Sequence, residues 1–126
     1  GSPCVARQYS GTLGKVANCQ VGISVHAVTD VASCPLEWGL FVPPSWDGPS
    51  VEADLRAQTA ARRVRCSIPD EERHRSKATM AVEMLDTLAG QGLRPPLLVA
   101  DAGYGGSSPF RGALDERGIG YVVQVG

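Results

Sequence analysis

The chain has 126 residues, of which 43% are hydrophobic and 20% are charged, and its formal net charge is −1. This length suffices for one hydrophobic core, so we predict a single domain over residues 1–126. The nearly neutral charge excludes a basic character spread over the whole chain, and any nucleic-acid surface must therefore be local.

The cysteines and the hydropathy pattern indicate the compartment. Cys4, Cys19, Cys34 and Cys66 form no CxxC motif and no Cys/His cluster, which argues against a structural zinc site. No signal peptide precedes them, and no apolar run approaches the roughly 18 residues of a membrane span. We therefore expect a cytoplasmic protein with reduced thiols and no membrane partner.

A β-hairpin is predicted after a glycine-rich beginning. Residues 1–19 show no sustained period and are interpreted as a loop with a short extended piece at residues 4–7. Apolar and polar residues alternate over residues 20–27, as expected for a strand with one buried face. A second alternating segment covers residues 34–42 and ends at the prolines 43–44, since proline cannot donate to a strand ladder.

Helices and strands alternate in the remainder. Residues 52–65 have a helix-compatible composition with weak amphipathic order. A longer helix is predicted to begin at residues 69–72, where acidic residues suit the positive end of the helix dipole. The apolar run 97–100 predicts a strand buried on both faces. A helix after Pro109 and a strand over residues 121–125 complete the order β-β-α-β-α-β, with the later strands parallel because helices connect them.

Asp101 is the strongest candidate for a functional residue. It directly follows the predicted strand 97–100, and functional side chains of α/β sheets gather at the carboxyl ends of strands. The glycines of the following segment, Ala-Gly-Tyr-Gly-Gly, allow a ligand to approach the backbone closely. The alternative is a turn aspartate that caps local amides, which its position alone favours.

Five blocks of the sequence resemble insertion-sequence transposases of the DDE superfamily. The two longest and most specific blocks are VARQYSGTLGKVANCQV at residues 5–21 and VADAGYG at residues 99–105. The likeness continues over residues 40–46, 65–71 and 84–86, and so extends over essentially the whole chain. It implies an RNase H-like catalytic core, an α/β fold with a mixed sheet, which here lacks the usual first strand and final helix.

The resemblance also implies a metal-dependent chemistry. Transposases of this superfamily use three carboxylates to bind two divalent ions, usually Mg²⁺, which activate a nucleophile and stabilise the leaving oxygen. Asp101 matches the second carboxylate, whereas the first and third belong to segments before Gly1 and after Gly126. Because one carboxylate is a poor site for Mg²⁺, we expect a truncated domain of DNA strand-transferase ancestry that does not cut or join DNA by itself.

The missing first strand has a structural consequence. In the RNase H-like fold that strand lies in the middle of the sheet, and its absence leaves backbone donors and acceptors without partners. We therefore expect a rearranged sheet, with residues 3–12 as a substitute strand, or a homodimer in which a second copy provides the pairing.

A basic cluster is the candidate nucleic-acid-binding site. Its positive charges match the phosphate backbone of DNA. The alternative is a solvated helical face whose cations neutralise the acids at residues 70–72, and both interpretations stay open. The basic cluster comprises Arg62, Arg63, Arg65, Arg73, Arg75 and Lys77.

A second hypothesis is domestication of the transposase scaffold. The chain would then be a small enzyme or a ligand-binding protein that acts on a small-molecule metabolite. Its catalytic candidates are Asp101, Tyr104 and His26, together with Glu37 and a thiol, although no spacing joins them into a triad. Binding of DNA, as opposed to a small molecule, separates the two hypotheses.

Overall fold

The computed structural model describes residues 3–10, 15–100, 104 and 108–123, without the side chains of Tyr9, Ser10 and Val123. This part of the chain is a mixed α/β structure, the class that the sequence predicts. None of its helices is long and apolar enough to cross a membrane. In chain order its elements are β1 (Ala6–Ser10), β2 (Lys15–Cys19), β3 (Gly22–Val28), β4 (Ser33–Leu40), α1 (Arg56–Arg65), α2 (Lys77–Gly90), β5 (Leu97–Ala100), α3 (Ser108–Glu116) and β6 (Gly120–Val123).

The described strands form three separate two-stranded sheets. β1 and β2 pair antiparallel, from Ala6 opposite Cys19 to Ser10 opposite Lys15. β3 and β4 are joined by a short turn in which the amide of Thr29 donates to the carbonyl of Ala32 over 2.8 Å. β5 and β6 pair in parallel, and α3 connects them.

The hairpin β3–β4 and the order α2–β5–α3–β6 agree with the sequence prediction, and the beginning of the chain agrees only in part. β1 lies within residues 3–12, the predicted substitute strand, whereas β2 lies in a region predicted to be a loop. Their apolar alternation is weak because Arg7, Val16 and Asn18 are exposed while the other face of the pair is mostly half-buried. The described strands do not join into one sheet, so the RNase H-like strand order stays a prediction.

Helix α2 begins at Lys77, later than the sequence predicts. The side chain of Ser76 accepts a hydrogen bond from the amide of Thr79 over 3.1 Å, and this N-cap defines the start of the helix. The predicted entrance at residues 69–72 lies outside the helix because the carbonyls of Pro69 and Glu72 accept hydrogen bonds from the side chain of Arg63.

The chain divides into two compact units. Unit 1 consists of Gly1–Ile23 and Gly39–Arg75, and unit 2 consists of Ser24–Trp38 and Ser76–Gly126. Each unit combines two separate stretches of chain, so neither is a contiguous sequence domain. The single domain over residues 1–126 stays a prediction.

The core of unit 1 is centred on Trp46. This residue is 5% exposed and packs with the buried Cys4 and Val42. Its indole N–H donates to the carbonyl of Val5 over 2.8 Å, which satisfies the polar atom of the ring. The bond ties the segment before β1 to the turn that contains Trp46. Partly buried side chains around this group are Leu40, Cys66 and Ile68.

A buried carboxylate organises the turn after Trp46. Asp47 is 3% exposed, and its oxygens accept hydrogen bonds from Ser50 Oγ and Arg73 Nε, each over 2.5 Å. The hydrogen-bonded guanidinium of Arg73 holds the pKa of Asp47 well below its usual range. The next residue, His74, donates from Nδ1 to the carbonyl of Val42 over 2.8 Å. Residues 73 and 74 are thereby fixed against the core of unit 1.

The core of unit 2 is formed by helices α2 and α3 and the sheet beside them. Leu114 of α3 is fully buried, and the β5 residue Leu98 packs on the same cluster. An ion pair at the surface joins α2 to the residue after α3, where Arg117 Nε lies 2.7 Å from Asp86 Oδ1. The buried members of the cluster are Ala81, Leu85, Phe110 and Leu114.

The β5–β6 sheet is covered on one face and open on the other. Val99 and Val122 lie opposite each other in the register and are 75% and 58% exposed. Leu97, on the same face of β5, is also exposed. The prediction that residues 97–100 are buried on both faces is therefore wrong, because the unit 2 core packs against one side only. Trp38 of β4 is open to solvent as well, at 67% exposure.

Substitutions in unit 2 test whether one face of the β5–β6 sheet is buried and the other is exposed. Leu114→Ala leaves a cavity in a closed core, so we expect the free energy of unfolding to fall by about 2–5 kcal/mol. Val99→Ala removes an exposed side chain and is expected to change it by less than about 0.5 kcal/mol. Urea denaturation followed by far-UV circular dichroism measures both. Equal losses for the two variants would show that the open face is covered in solution.

The Asp47 carboxylate predicts an acid-sensitive contribution to stability. A carboxyl whose pKa is lowered by folding stabilises the protein above its unfolded pKa, near 4, and this contribution is lost as the pH falls towards the lower folded pKa. Asp47→Asn should therefore cost about 1–3 kcal/mol at pH 7. The difference from the wild type should narrow as the pH falls below about 4.

Asp86→Asn is the matched control for this measurement. Its carboxylate also pairs with an arginine, but the side chain is 52% exposed, so we expect a loss of less than about 1 kcal/mol. A pH-independent difference between Asp47→Asn and the wild type would contradict the assigned role of the Asp47 charge.

Candidate functional site

The edge of the sheet that precedes Asp101 is described, although Asp101 itself lies outside the described residues. β5 ends at Ala100, which is opposite Val123 at the end of β6 in the parallel register. The carboxyl ends of both strands therefore meet at one edge, the location at which α/β proteins place functional groups. Asp101 follows Ala100 directly in the sequence.

Tyr104 and His26, the other catalytic candidates, have different surroundings. Tyr104 is half-buried against the core of unit 2, with its ring centroid 5.4 Å from that of Phe110. His26 is exposed on β3, next to Val25, which packs on that core. Since successive side chains of a strand point to opposite faces, His26 lies on the face away from the core.

The ring nitrogens of His26 contact two serine hydroxyls. Nε2 lies 3.0 Å from Ser24 Oγ, and Nδ1 lies 3.3 Å from Ser33 Oγ. Glu37, named with His26 in the small-molecule hypothesis, is half-buried on β4 and accepts a hydrogen bond from the amide of Trp38 over 3.3 Å. These contacts are local to the β3–β4 hairpin.

The metal implied by the sequence resemblance needs more ligands than the described residues supply. Within residues 3–10, 15–100, 104 and 108–123, no three His, Cys, Asp or Glu side chains are grouped as metal ligands. A Mg²⁺ ion is bound by several oxygens in an octahedral arrangement. The described part of the chain does not form such a site, and Asp101 would need further carboxylates to do so.

Arg62 of the basic cluster lies on the aromatic core of unit 1. Its guanidinium carbon is 4.2 Å from the centroid of the Trp46 ring, a cation–π distance. Its Nη2 donates to the carbonyl of Ser45 over 2.7 Å. Arg62 is half-buried, so part of its charge still faces solvent.

Arg63 is directed into unit 1. It is 9% exposed, and Nη1 donates to the carbonyl of Trp46 over 2.7 Å. Nη2 donates to the carbonyl of Pro69 over 2.8 Å and also to that of Glu72. Arg63 thus acts as a structural cation that joins three backbone segments.

The other members of the basic cluster differ in how accessible they are. Arg73 is bound to the buried Asp47, although nearly half of its side chain is exposed. Arg65 is exposed in the last turn of α1. Arg75 and Lys77 are half-buried. Arg65 is therefore the member of the cluster most open to a phosphate, and Arg63 is the least.

The charges of the two units are unequal. Unit 1 contains eight Lys and Arg residues against six Asp and Glu, whereas unit 2 contains four against seven. The net charge of −1 therefore hides a positive unit and a negative one. This distribution is consistent with a local nucleic-acid surface on unit 1.

The sequence pattern did not indicate the contribution of Asp47 to this region. A signal was present in Trp46-Asp47-Gly48-Pro49-Ser50, because an aspartate before Gly-Pro-Ser is typical of a turn in which the carboxylate accepts local hydrogen bonds. The distant partners, Arg62, Arg63 and Arg73, are not encoded by any spacing, so their pairing with this turn was not predictable.

The chain is similar in sequence to a known transposase. A probable transposase for insertion sequence element IS701 from Microchaete diplosiphon is 29% identical over 122 residues, which is 96% of this chain and 27% of that protein. The chain thus spans about a quarter of the length of this relative. No solved structure matches it. The family model described as DDE superfamily endonuclease matches residues 1–126, and the chain therefore belongs to the DDE superfamily of endonucleases.

Proposed function

We propose that this chain is part of the catalytic region of a DDE transposase, in which it contributes Asp101 and contacts DNA through unit 1. The observation that supports this role most directly is that β5 and β6 end together at Ala100 and Val123, and that Asp101 follows Ala100 directly in the sequence. This is the strand end that suits a metal-binding carboxylate. The family match over the whole chain supports the same role.

The 126-residue chain by itself is proposed not to cut or join DNA. Asp101 is the one residue that matches a carboxylate of the family, and Mg²⁺ binds poorly to a single carboxylate. Mg²⁺ would supply the polarisation of phosphate oxygens once Asp101 and further carboxylates hold it. Activity would therefore belong to the longer protein or to an assembly, such as a homodimer in which a second copy covers the open β5–β6 face.

A domesticated role on a small-molecule metabolite remains the alternative proposal. Its candidates would be Asp101, Tyr104, His26 and Glu37. The described surroundings of Tyr104 and His26 favour separate packing and hairpin contacts over a common site. The DNA-related role is therefore the better supported of the two.

Arg65 and Arg63 should have separable effects on DNA binding and stability. Arg65→Gln removes an exposed cation, so the slope of log K against log salt for duplex DNA should become shallower by about 1, with stability changed by less than about 0.5 kcal/mol. Arg63→Gln removes a buried hydrogen bond to the carbonyl of Trp46 and two half-buried ones to those of Pro69 and Glu72, and should lower the free energy of unfolding by about 3 kcal/mol. Fluorescence anisotropy over a salt series and urea denaturation measure the two quantities.

Two outcomes would contradict the separate roles of Arg65 and Arg63. Absence of salt-dependent DNA binding by the wild-type chain would remove the DNA-related role. A stability loss for Arg65→Gln as large as that for Arg63→Gln would show that Arg65 is also structural.

Asp101 is tested in the longer transposase that contains this domain. Asp101→Asn should reduce Mg²⁺-dependent DNA cleavage by more than about a hundredfold, because even outer-shell partners of metal ligands contribute 10–100-fold. DNA affinity should stay unchanged. Asp115→Asn, an exposed acid on α3, is the matched control and should cleave like the wild type. Cleavage by Asp101→Asn at the control rate would exclude Asp101 as a metal ligand.

A further inference from the structure

Two of the four cysteines of the chain lie in the core of unit 1. Cys4 is 1% exposed and belongs to the buried cluster around Trp46, and the half-buried Cys66 packs on the same cluster. Both side chains are thiols in the structure. Burial raises the pKa of the Cys4 thiol, the nearby guanidinium of Arg63 opposes this shift, and the nearby thiol of Cys66 adds to it. The two thiols are therefore close enough to influence each other.

The backbone on either side of Cys4 is fixed by side-chain hydrogen bonds. The carbonyl of Pro3 accepts a bond from Gln20 Nε2 over 2.7 Å. The carbonyl of Val5 accepts one from Trp46 Nε1 over 2.8 Å. Cys4 itself has a φ of 58°, in the left-handed region that residues with a side chain rarely adopt. Such a conformation persists only where the surrounding contacts hold it, so the position of the Cys4 thiol is set before any reaction.

The backbone of Cys66 is fixed by the end of helix α1. The amide of Ser67 donates to the carbonyl of Val64 over 3.1 Å, and the amide of Ile68 donates to the carbonyl of the residue before Val64 over 2.9 Å. With Ser67 at a φ of 55°, these two bonds form the Schellman motif that ends many helices. Ile68 also packs on the core of unit 1. The helix end therefore holds the Cys66 thiol against the cluster that contains Cys4.

The other two cysteines have different surroundings. The Cys19 thiol donates to the carbonyl of Gln8 over 3.5 Å, within the β1–β2 pair. Cys34 is exposed on β4 and belongs to unit 2. Among the described residues, neither belongs to the cluster around Trp46. The fold therefore distinguishes Cys4 and Cys66 from the other two, which their spacing in the sequence did not.

We propose that Cys4 and Cys66 form a thiol pair that hydrogen peroxide oxidises to a disulfide, which joins the segment before β1 to the C-terminal end of α1. Cys66 reacts first because it is half-buried, whereas Cys4 is closed to solvent. Cys4 is then the thiol that resolves the oxidised Cys66, since it lies in the cluster on which Cys66 packs.

The oxidation has two steps. The Cys66 thiolate attacks one oxygen of hydrogen peroxide and the O–O bond breaks, which gives Cys66 sulfenic acid and a hydroxide that takes up the thiol proton to become water. The Cys4 thiolate then attacks the sulfenic sulfur, so the S–S bond forms and the S–O bond breaks. The hydroxide released takes up the Cys4 proton, and one peroxide has been reduced to water by the two thiols. Dithiothreitol reverses the reaction by thiol–disulfide exchange.

The disulfide would close a long loop of the chain. The segment between Cys4 and Cys66 contains the strands β1 to β4 and helix α1. A cross-link over a loop of this length restricts the unfolded chain, so it should raise the melting temperature by about 10 °C for a domain of this size. Oxidation therefore stabilises the fold without changing its charge.

Mass spectrometry of the full 126-residue chain tests the pairing. The folded protein is treated with hydrogen peroxide, remaining thiols are blocked with iodoacetamide, and a tryptic digest is analysed without reductant. Cleavage after Lys and Arg puts Cys4 in the peptide 1–7, Cys66 in the peptide 66–73, and both other cysteines in the peptide 16–56. The expected product is a linked peptide of 1–7 and 66–73 that disappears on addition of dithiothreitol. Absence of this product, or a link from either peptide to 16–56 in its place, would overturn the proposal.

Cys66→Ser and Cys34→Ser are matched variants, because each replaces one thiol by a hydroxyl and leaves the charge unchanged. Peroxide should raise the melting temperature of the wild type and of Cys34→Ser by about 10 °C, and should leave that of Cys66→Ser unchanged. Thermal unfolding followed by circular dichroism measures the three shifts. Equal shifts for the two variants would contradict the pairing. These measurements involve neither Asp101 nor DNA, so failure of the thiol pair leaves the proposed function standing.

Discussion

The guanidinium of Arg63 lies where three backbone segments of unit 1 meet. A buried cation is costly unless its donors are satisfied, and here the carbonyls of Trp46, Pro69 and Glu72 satisfy them. As long as Arg63 stays inside, residues 69–72 are held in an irregular conformation and α2 begins only at Lys77. The arrangement also places the turn after Trp46 within reach of the segment that contains Arg73.

Arginine therefore has two roles in a small region. Arg63 and Arg73 bind carbonyl and carboxylate groups within the fold, whereas Arg65 and Arg7 face solvent. The number of basic residues in the sequence does not distinguish the buried arginines from the exposed ones, and the net charge of −1 does not distinguish them either. The excess of cations in unit 1 supports the proposed contact with DNA because part of that excess is exposed.

The local sequence pattern predicted the strands and helices whose buried residues recur at a regular spacing. Strand β3 alternates around Ile23 and Val25, and α2 places Leu85 and Leu88 on one face, so both were predictable. β2 was missed because backbone pairing and a side-chain bond from Gln8 hold it to β1, with little apolar alternation, whereas β1 falls within residues 3–12, the predicted substitute strand. The open face of β5 was not predictable either, because an apolar run does not reveal how many neighbours a strand has. The strand over residues 97–100 was predicted from the sequence. The role of Asp101, which follows it, stays a prediction because Asp101 lies outside the described residues.

The two tryptophans differ in exposure and therefore in their fluorescence. Trp46 is sealed in unit 1 at 5% exposure, while Trp38 is 67% exposed in unit 2. An indole in an apolar environment emits at shorter wavelength than one in water, so one emission spectrum contains a blue component from unit 1 and a red component from unit 2. A soluble quencher reaches the second and is shielded from the first. A shift of the blue component to longer wavelength therefore reports the unfolding of unit 1 without any added label.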